Sequence, residues 1–190
     1  MTPIRIRVVV IALGIAFESV SCAGSTPAPS FKRMADRKEW TTTNLNVGAS
    51  PSYCYDDAEA NCTRYGRMYT WESAQRVCQS LGNGWRLPTD DEWRQMAKRY
   101  GGVSADSADK GEAAFAALRS EGTSGFNAAL GGIRSEGKYT RLGEHGCYWT
   151  ASDSDSGSAP FYNFGQGGHA LHRQPGGKKE MAISVRCVRE

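Results

Sequence analysis

The side chains of this chain that could do chemistry are six cysteines, a pair of histidines, two acidic clusters and a crowd of aromatics. Among the cysteines, Cys147 stands beside His145 and is the candidate for a nucleophile or a copper ligand. No second cysteine lies near it in sequence, and a lone thiol on an aromatic strand serves more often as a small buried hydrophobe. His169 and His172 have a spacing that chelates a metal on a helix or tight turn. Glycines at 165, 167 and 168 place them instead in a loop. Asp153-Ser-Asp-Ser-Gly157 resembles the start of a calcium loop but lacks the closing bidentate glutamate, and reads as a solvated loop. Asp90, Asp91 and Glu92 are a carboxylate cluster of the kind general acid–base chemistry uses, yet a helix N-terminus already accounts for all three. The expectation is therefore no catalytic residue, no metal site and no cofactor.

The aromatics carry more weight. Tyr148, Trp149, Phe161, Tyr162 and Phe164 crowd two adjacent predicted strands, and strand alternation forbids all five from facing one core. Two arrangements satisfy this. Some rings are exposed, where they would stack on sugars or anchor a protein partner, or both faces are covered, one by helices and one by long loops.

The best-determined element is the stretch Gly84-Trp-Arg-Leu-Pro-Thr-Asp-Asp-Glu-Trp93. Thr89 and Glu92 have the spacing of a capping box, in which each side chain satisfies a backbone N–H of the other's end of the turn. Beyond the cap, Trp93, Met96, Ala97 and Tyr100 form an apolar helical face, and Gly101-Gly102 stop the helix. A helix over Trp71 to about Leu81 precedes it, and a short helix is expected at Glu112 to Leu118. Glu39 to Val47 reads as a β-rich opening, Tyr55 to Asn61 as a polar loop, and Gly131 to Leu142 as a hairpin around a Ser-Glu-Gly-Lys turn. Gly146 to Thr150, Phe161 to Phe164 and Ala182 to Val188 supply further strands. In the last, Ile183, Val185 and Cys187 alternate with Ser184 and Arg186, which suits one buried face. Helices followed by a run of strands is an α+β order.

The N-terminus is a processing signal. Arg5 and Arg7 precede an apolar run from Val8 to Phe17, a pattern of export and too short to span a bilayer. Ser19-Val20-Ser21-Cys22-Ala23 looks like a bacterial lipobox in which Cys22 is acylated, although Glu18 and Ser19 depart from the usual pattern. Ordinary cleavage after Ala23, discarding Cys22, is the alternative. The reading divides the chain into a leader over 1–22, a Ser/Pro/Ala-rich tether over 23–37 with a reach of roughly 20 Å, and a folded domain over 38–190. An anchored domain belongs to the cell envelope, at the outer membrane by the sorting analogy of Ala23; without the anchor it is periplasmic or secreted.

An exported chain makes disulfides the default. Cys54 and Cys62 flank the short polar loop and read as a local staple. Pairing Cys78 with Cys187 would close a loop worth about 4–5 kcal/mol in the chain-entropy model, leaving Cys147 free. With a formal charge of +3 and its basic residues interspersed with acids, the chain has no stripe for nucleic acid.

Six blocks in order carry a resemblance. They are Trp40-Thr-Thr-Thr-Asn-Leu-Asn, Tyr65-Gly-Arg-Met-Tyr-Thr-Trp71, Gly84 to Trp93, Ser124-Gly-Phe with Gly131-Gly-Ile-Arg134, Tyr148-Trp-Thr-Ala-Ser152, and Ser184-Val-Arg-Cys-Val-Arg189. Together they resemble the Fibrobacter succinogenes major paralogous domain, a bacterial surface and secreted module. That family is similar to the formylglycine-generating branch of the C-type lectin-like fold. The resemblance implies two helices packed on a small, irregular antiparallel sheet with long loops, and it favours the Cys78–Cys187 pair. The function expected is a non-enzymatic binding or adhesion module for a glycan or a cell-surface protein, held at the lipid bilayer by its anchor. The alternatives are an oxidoreductase of the formylglycine-generating type, whose cysteine-oxidising members hold copper between two closely spaced cysteines, and a purely structural envelope protein.

The anchor is directly testable. Acylated protein should partition into the detergent phase and Cys22→Ser should release it, because stable attachment needs more than one acyl chain on the terminus. An intact mass showing a lipid-free chain beginning at Gly24 would remove the anchor.

Overall fold

The computed structural model describes residues 29–190; the leader and Cys22 lie outside the described residues. The chain begins with β1 (Phe31–Arg33), β2 (Glu39–Thr41) and β3 (Ser52–Tyr53), then α1 (Glu59–Tyr65), β4 (Met68–Tyr69), α2 (Trp71–Gln79), α3 (Asp90–Lys98) and α4 (Glu112–Leu118). The second half is β-rich: β5 (Ile133–Ser135), β6 (Lys138–Thr140), β7 (His145–Trp149), β8 (Ser158–Gly165), β9 (Ala170–Lys178) and β10 (Val188–Arg189). All the strands pair antiparallel, in small sheets ordered β1-β2-β10, β3-β4, β5-β6 and β7-β8-β9. The result is α+β, and among the described residues no helix is long and apolar enough to cross a membrane.

The cap of α3 forms as its residues dictate. Thr89 Oγ1 accepts from the Glu92 N–H at 3.2 Å while Glu92 Oε2 accepts from the Thr89 N–H at 2.9 Å. The Glu92 carboxylate also receives both terminal nitrogens of Arg86 at 2.6 Å, a bidentate pair, and lies 3.3 Å from Lys38 Nζ. Burial opposes ionisation of Glu92, but the Arg86 and Thr89 hydrogen bonds and the neighbouring cations outweigh it and hold the carboxyl down at about 2. The cap aims Trp93 into the core. Its ring stacks on Tyr162 at 5.0 Å and meets Trp40, Phe126 and Tyr148 at 5.1–5.7 Å, separations at which aromatic pairs add roughly 0.5–1.5 kcal/mol beyond burial.

Two buried clusters lie on opposite faces of the β7-β8-β9 sheet. Tyr148, Tyr162 and Phe164 enter the cluster of Trp40, Trp93, Phe115 and Phe126, and Trp149 enters the cluster of Ala74, Val77, Cys78, Val185 and Cys187. The second cluster contains the disulfide Cys78–Cys187, which fastens α2 to the end of the chain. Cys54 is joined to Cys62.

Several expectations are corrected. The segment between the first two cysteines is not a simple loop: a single turn of 3-10 helix, Tyr55–Asp57, leads into α1. The tether gives way earlier than residue 37, because Phe31–Arg33 pair with Glu39–Thr41 and their Met34 is buried. The Gly- and His-containing stretch after 168 is a strand, β9, paired along β8. Residues 182–188 are buried on both faces, Ser184 and Arg186 included, rather than on one. Only Val188–Arg189 pairs as a regular strand, while Ala182, Ile183 and Ser184 make isolated bridges to Arg134, Tyr69 and Tyr148.

Because Glu92 is more acidic folded than its ordinary 4.5, it stabilises the fold fully above that value and loses its contribution as pH falls toward 2. Equilibrium denaturation should show stability dropping across this window, less steeply in Glu92→Gln. At neutral pH, Thr89→Ala should lose about 1 kcal/mol; an unchanged midpoint would contradict the cap.

Candidate functional site

The five aromatics expected at a ligand surface do not form one. Tyr148, Trp149, Tyr162 and Phe164 have no exposed area, and Phe161 is half-buried against the second cluster. Alternation does send neighbours to opposite faces, but both faces are covered, α3 and α4 on one side and α2 with residues 183–187 on the other. Their polar tips are committed inward: Tyr148 Oη donates to Ala129 O at 2.7 Å, Trp149 Nε1 to Tyr69 O at 2.9 Å, and Tyr162 Oη to Asp90 O at 3.0 Å.

The other expected groups are also accounted for by structure. Cys147 is fully buried and is the free thiol among the described residues; burial pushes it up to about 12, so it stays protonated and unreactive. His172 lies on β9 with Nδ1 at 2.7 Å from Ser104 Oγ, whereas His169 sits exposed in the β8–β9 turn. Neither belongs to a grouping of three metal-ligating side chains among the described residues. The grouping that does occur there, Cys54, Glu59 and Cys62, has both sulfurs in a disulfide. At the acidic loop, Lys179 supplies a cation from within the chain. Its Nζ reaches Asp153 Oδ1 at 2.5 Å and Asp155 O at 3.0 Å while lying 4.2 Å over the Trp71 ring. The Asp155 carboxylate accepts instead from Gly157 and Ser158 N–H at 2.8 Å and from Ser158 Oγ at 2.7 Å.

The site that the fold does build is a cleft of about 550 Å³ beside α1. One wall is Pro29, Ser30 and the segment Thr42 to Val47 that follows β2; the second is the C-terminal half of α1, Cys62 to Gly66; Ser120, Asn127 and Ala129 close it. The walls are joined below by Asn44. Its Nδ2 donates to Tyr65 O at 2.8 Å and Ser184 Oγ at 3.1 Å, and its Oδ1 accepts from Arg186 Nε at 2.9 Å and lies 3.0 Å from Tyr148 Oη. Gly66 makes the close approach possible. At φ 77° it is left-handed, and a Cβ there would stand 2.6 Å from Asn44 Cβ and 2.9 Å from Leu45 O.

Arg186 lies behind this floor, buried and with no carboxylate partner among the described residues. Its guanidinium donates to Asn44 Oδ1, Thr41 O, Phe126 O and Asn127 O at 2.7–2.9 Å and lies 4.6 Å from the Phe126 ring centroid. Desolvation lowers its pKa, opposed by Tyr148, yet an arginine starts so high that it stays protonated.

The cleft lining is rich in hydroxyls and amides: Ser30, Thr42, Thr43, Asn44, Asn46, Thr63, Ser120 and Asn127. Tyr65 supplies a half-buried aromatic face, with the Arg64 guanidinium 5.1 Å over its ring. The site is not legible in the sequence because its polar residues come from five separate segments and match no motif. The one local signal is an Asn-x-Asn pair at 44 and 46 inside an otherwise β-rich opening.

Fold and site together define, among the described residues, an α+β domain of four short α-helices and small antiparallel sheets, closed by two disulfides, with a polar cleft that has no acidic side chain in its lining. The chain belongs to a bacterial family, the Fibrobacter succinogenes major domain family, whose model matches residues 31–189. No curated protein and no solved structure matches it.

Thiol labelling checks the assignment of Cys147. In native protein it should resist alkylation and react only after unfolding, while peptide mapping finds Cys54–Cys62 and Cys78–Cys187. Rapid labelling of the native state, or a disulfide through Cys147, would contradict its burial.

Proposed function

We propose that this protein is a non-enzymatic binding module of the C-type lectin-like kind, exported and held at the cell envelope by acylation of Cys22, and that it takes a glycan in the cleft beside α1. The observation that carries the reading is the composition of the cleft. Hydroxyl and amide groups line it beside one aromatic face, and of these Thr43 and Asn46 make no side-chain hydrogen bond among the described residues, the combination that can meet sugar hydroxyls while a ring covers a pyranose. The fold reading is supported by α2 and α3 packing against small irregular sheets and by the first and last strands flanking β2 in one sheet. The family resemblance, with its surface and secreted modules, supports location at the outer membrane or, without the anchor, in the periplasm or medium.

A binding role is also what the unreactive groups favour. Oxidation of the formylglycine-generating kind needs two accessible thiols to hold copper, and Cys147 is single, buried and held protonated among the described residues. A cell-surface protein is the other partner class, and the cleft's concavity and polar lining favour a sugar over the flat, apolar-centred patch a protein partner uses.

A glycan array probed with the wild-type domain and with Asn46→Ala tests the reading. Wild type should retain a defined set of sugars, and Asn46→Ala should lose about tenfold in affinity, the cost of one or two hydrogen bonds to a bound ligand. Binding unaffected by Asn46→Ala and by Tyr65→Ala would put the ligand elsewhere, and turnover of a cysteine peptide with copper would replace binding by catalysis.

A further inference from the structure

The charge around the cleft goes beyond its shape. Several basic side chains of the domain are matched by acids, Arg86 and Lys38 by Glu92 and Glu190 and Arg173 by Asp90 among them, while others, such as Arg99 and Arg119, form no ion pair among the described residues. What sets the cleft apart is that none of its lining residues is an aspartate or glutamate, while one, Arg64, is a cation, which forms no ion pair among the described residues. One residue layer deeper, Arg186 carries a second positive charge satisfied by dipoles alone: three backbone carbonyls and the Asn44 amide oxygen.

Dipoles satisfy the N–H groups of a guanidinium without cancelling its net charge. A buried charge with no counter-ion acts through protein of low dielectric and is felt further than a charge in water. Two of the groups that hold Arg186, Asn44 and Asn127, are also residues of the cleft lining. Arg64 and Arg186 therefore bias the same concavity toward negative charge from its rim and from behind its floor. Both are arginines, charged at every physiological pH.

We propose that the cleft recognises an anionic sugar, a pyranose bearing a carboxylate or a sulfate. The ring lies against Tyr65, its hydroxyls meet Asn46, Thr43 and Thr63, and its acid group faces Arg64, whose planar fork matches either oxyanion. This rests on the glycan reading above and adds the ligand's charge to it.

The test is a titration of the purified domain, followed by amide chemical shifts, with a galacturonate trisaccharide, galactose 6-sulfate, the uncharged galactose trisaccharide and inorganic sulfate alone. An acidic sugar should bind at least about tenfold tighter than the uncharged one at low salt, and the advantage should shrink as salt rises. The two acidic probes separate the carboxylate from the sulfate source. Arg64→Gln should remove most of that advantage while leaving the uncharged sugar's affinity and the amide spectrum of the core unchanged, and Thr63→Glu should weaken the acidic sugars more than the uncharged one. Equal affinity for the charged and uncharged sugars, at the cleft and independent of salt, would overturn the anionic assignment and leave the glycan reading standing. Inorganic sulfate binding as tightly as the acidic sugars would overturn both, as would shifts confined to residues outside the cleft.

Discussion

A buried guanidinium without a counter-ion is the constraint the rest of this structure is arranged to meet. Arg186 is fully buried, and removing such a group from water costs several kcal/mol unless its donors are all met. Its acceptors come from Thr41 and Asn44 near the start of the domain and Phe126 and Asn127 in its middle, while Arg186 itself is four residues from the end. One planar side chain thus fixes three distant stretches in mutual register. The Cys78–Cys187 bond, on the very next residue, reinforces the same junction covalently. Residues 182–187 run through the core without forming a regular strand, Ala182, Ile183 and Ser184 making isolated bridges and the next three residues none.

The cleft follows from the same arrangement. To present Oδ1 to Arg186, Asn44 must sit low, and its amide nitrogen then reaches the last carbonyl of α1 at Tyr65. That bond seats α1 at the cleft wall, and Gly66 lets the chain turn away against the Asn44 side chain. On the other side of α1, the Cys54–Cys62 bond holds a turn in which Asp56 and Asp57 are left-handed, and Asp57 accepts from Tyr139 Oη. A helix of only seven residues, with no side-chain cap, would be marginal alone. It exists here because both of its ends are tied to other parts of the fold.

Where local chemistry dominates, the sequence was informative. The α3 cap, the Glu112–Leu118 helix, the β5–β6 hairpin and both disulfides follow from spacing, turn residues and, for Cys78 with Cys187, family resemblance. Where tertiary contacts dominate, it was not. Glu59-Ala-Asn-Cys-Thr-Arg-Tyr65 has no apolar stripe, so nothing local announces α1. In β9 the Gly-Gly and Pro of 175–177 argue for a loop, and only pairing with β8 makes it a strand. Alternation correctly separated Tyr148 from Trp149 but could not tell a solvent-facing side from a second buried one. The same limit hid Arg186, whose type and position both suggest exposure. The cleft was illegible for a related reason: its character is set by which polar side chains the Arg186 junction brings together.

The most direct test of this account is the unfolding free energy of Arg186→Lys. Lysine keeps the charge and much of the stem but has a compact head that cannot span four acceptors laid out for a planar fork. The account predicts a loss of about 3 kcal/mol or more, in the range seen when a buried charged network loses a partner. A loss under about 1 kcal/mol, the scale of an ordinary single substitution, would contradict the claim that the fold is organised around the guanidinium rather than around the charge or the apolar core alone.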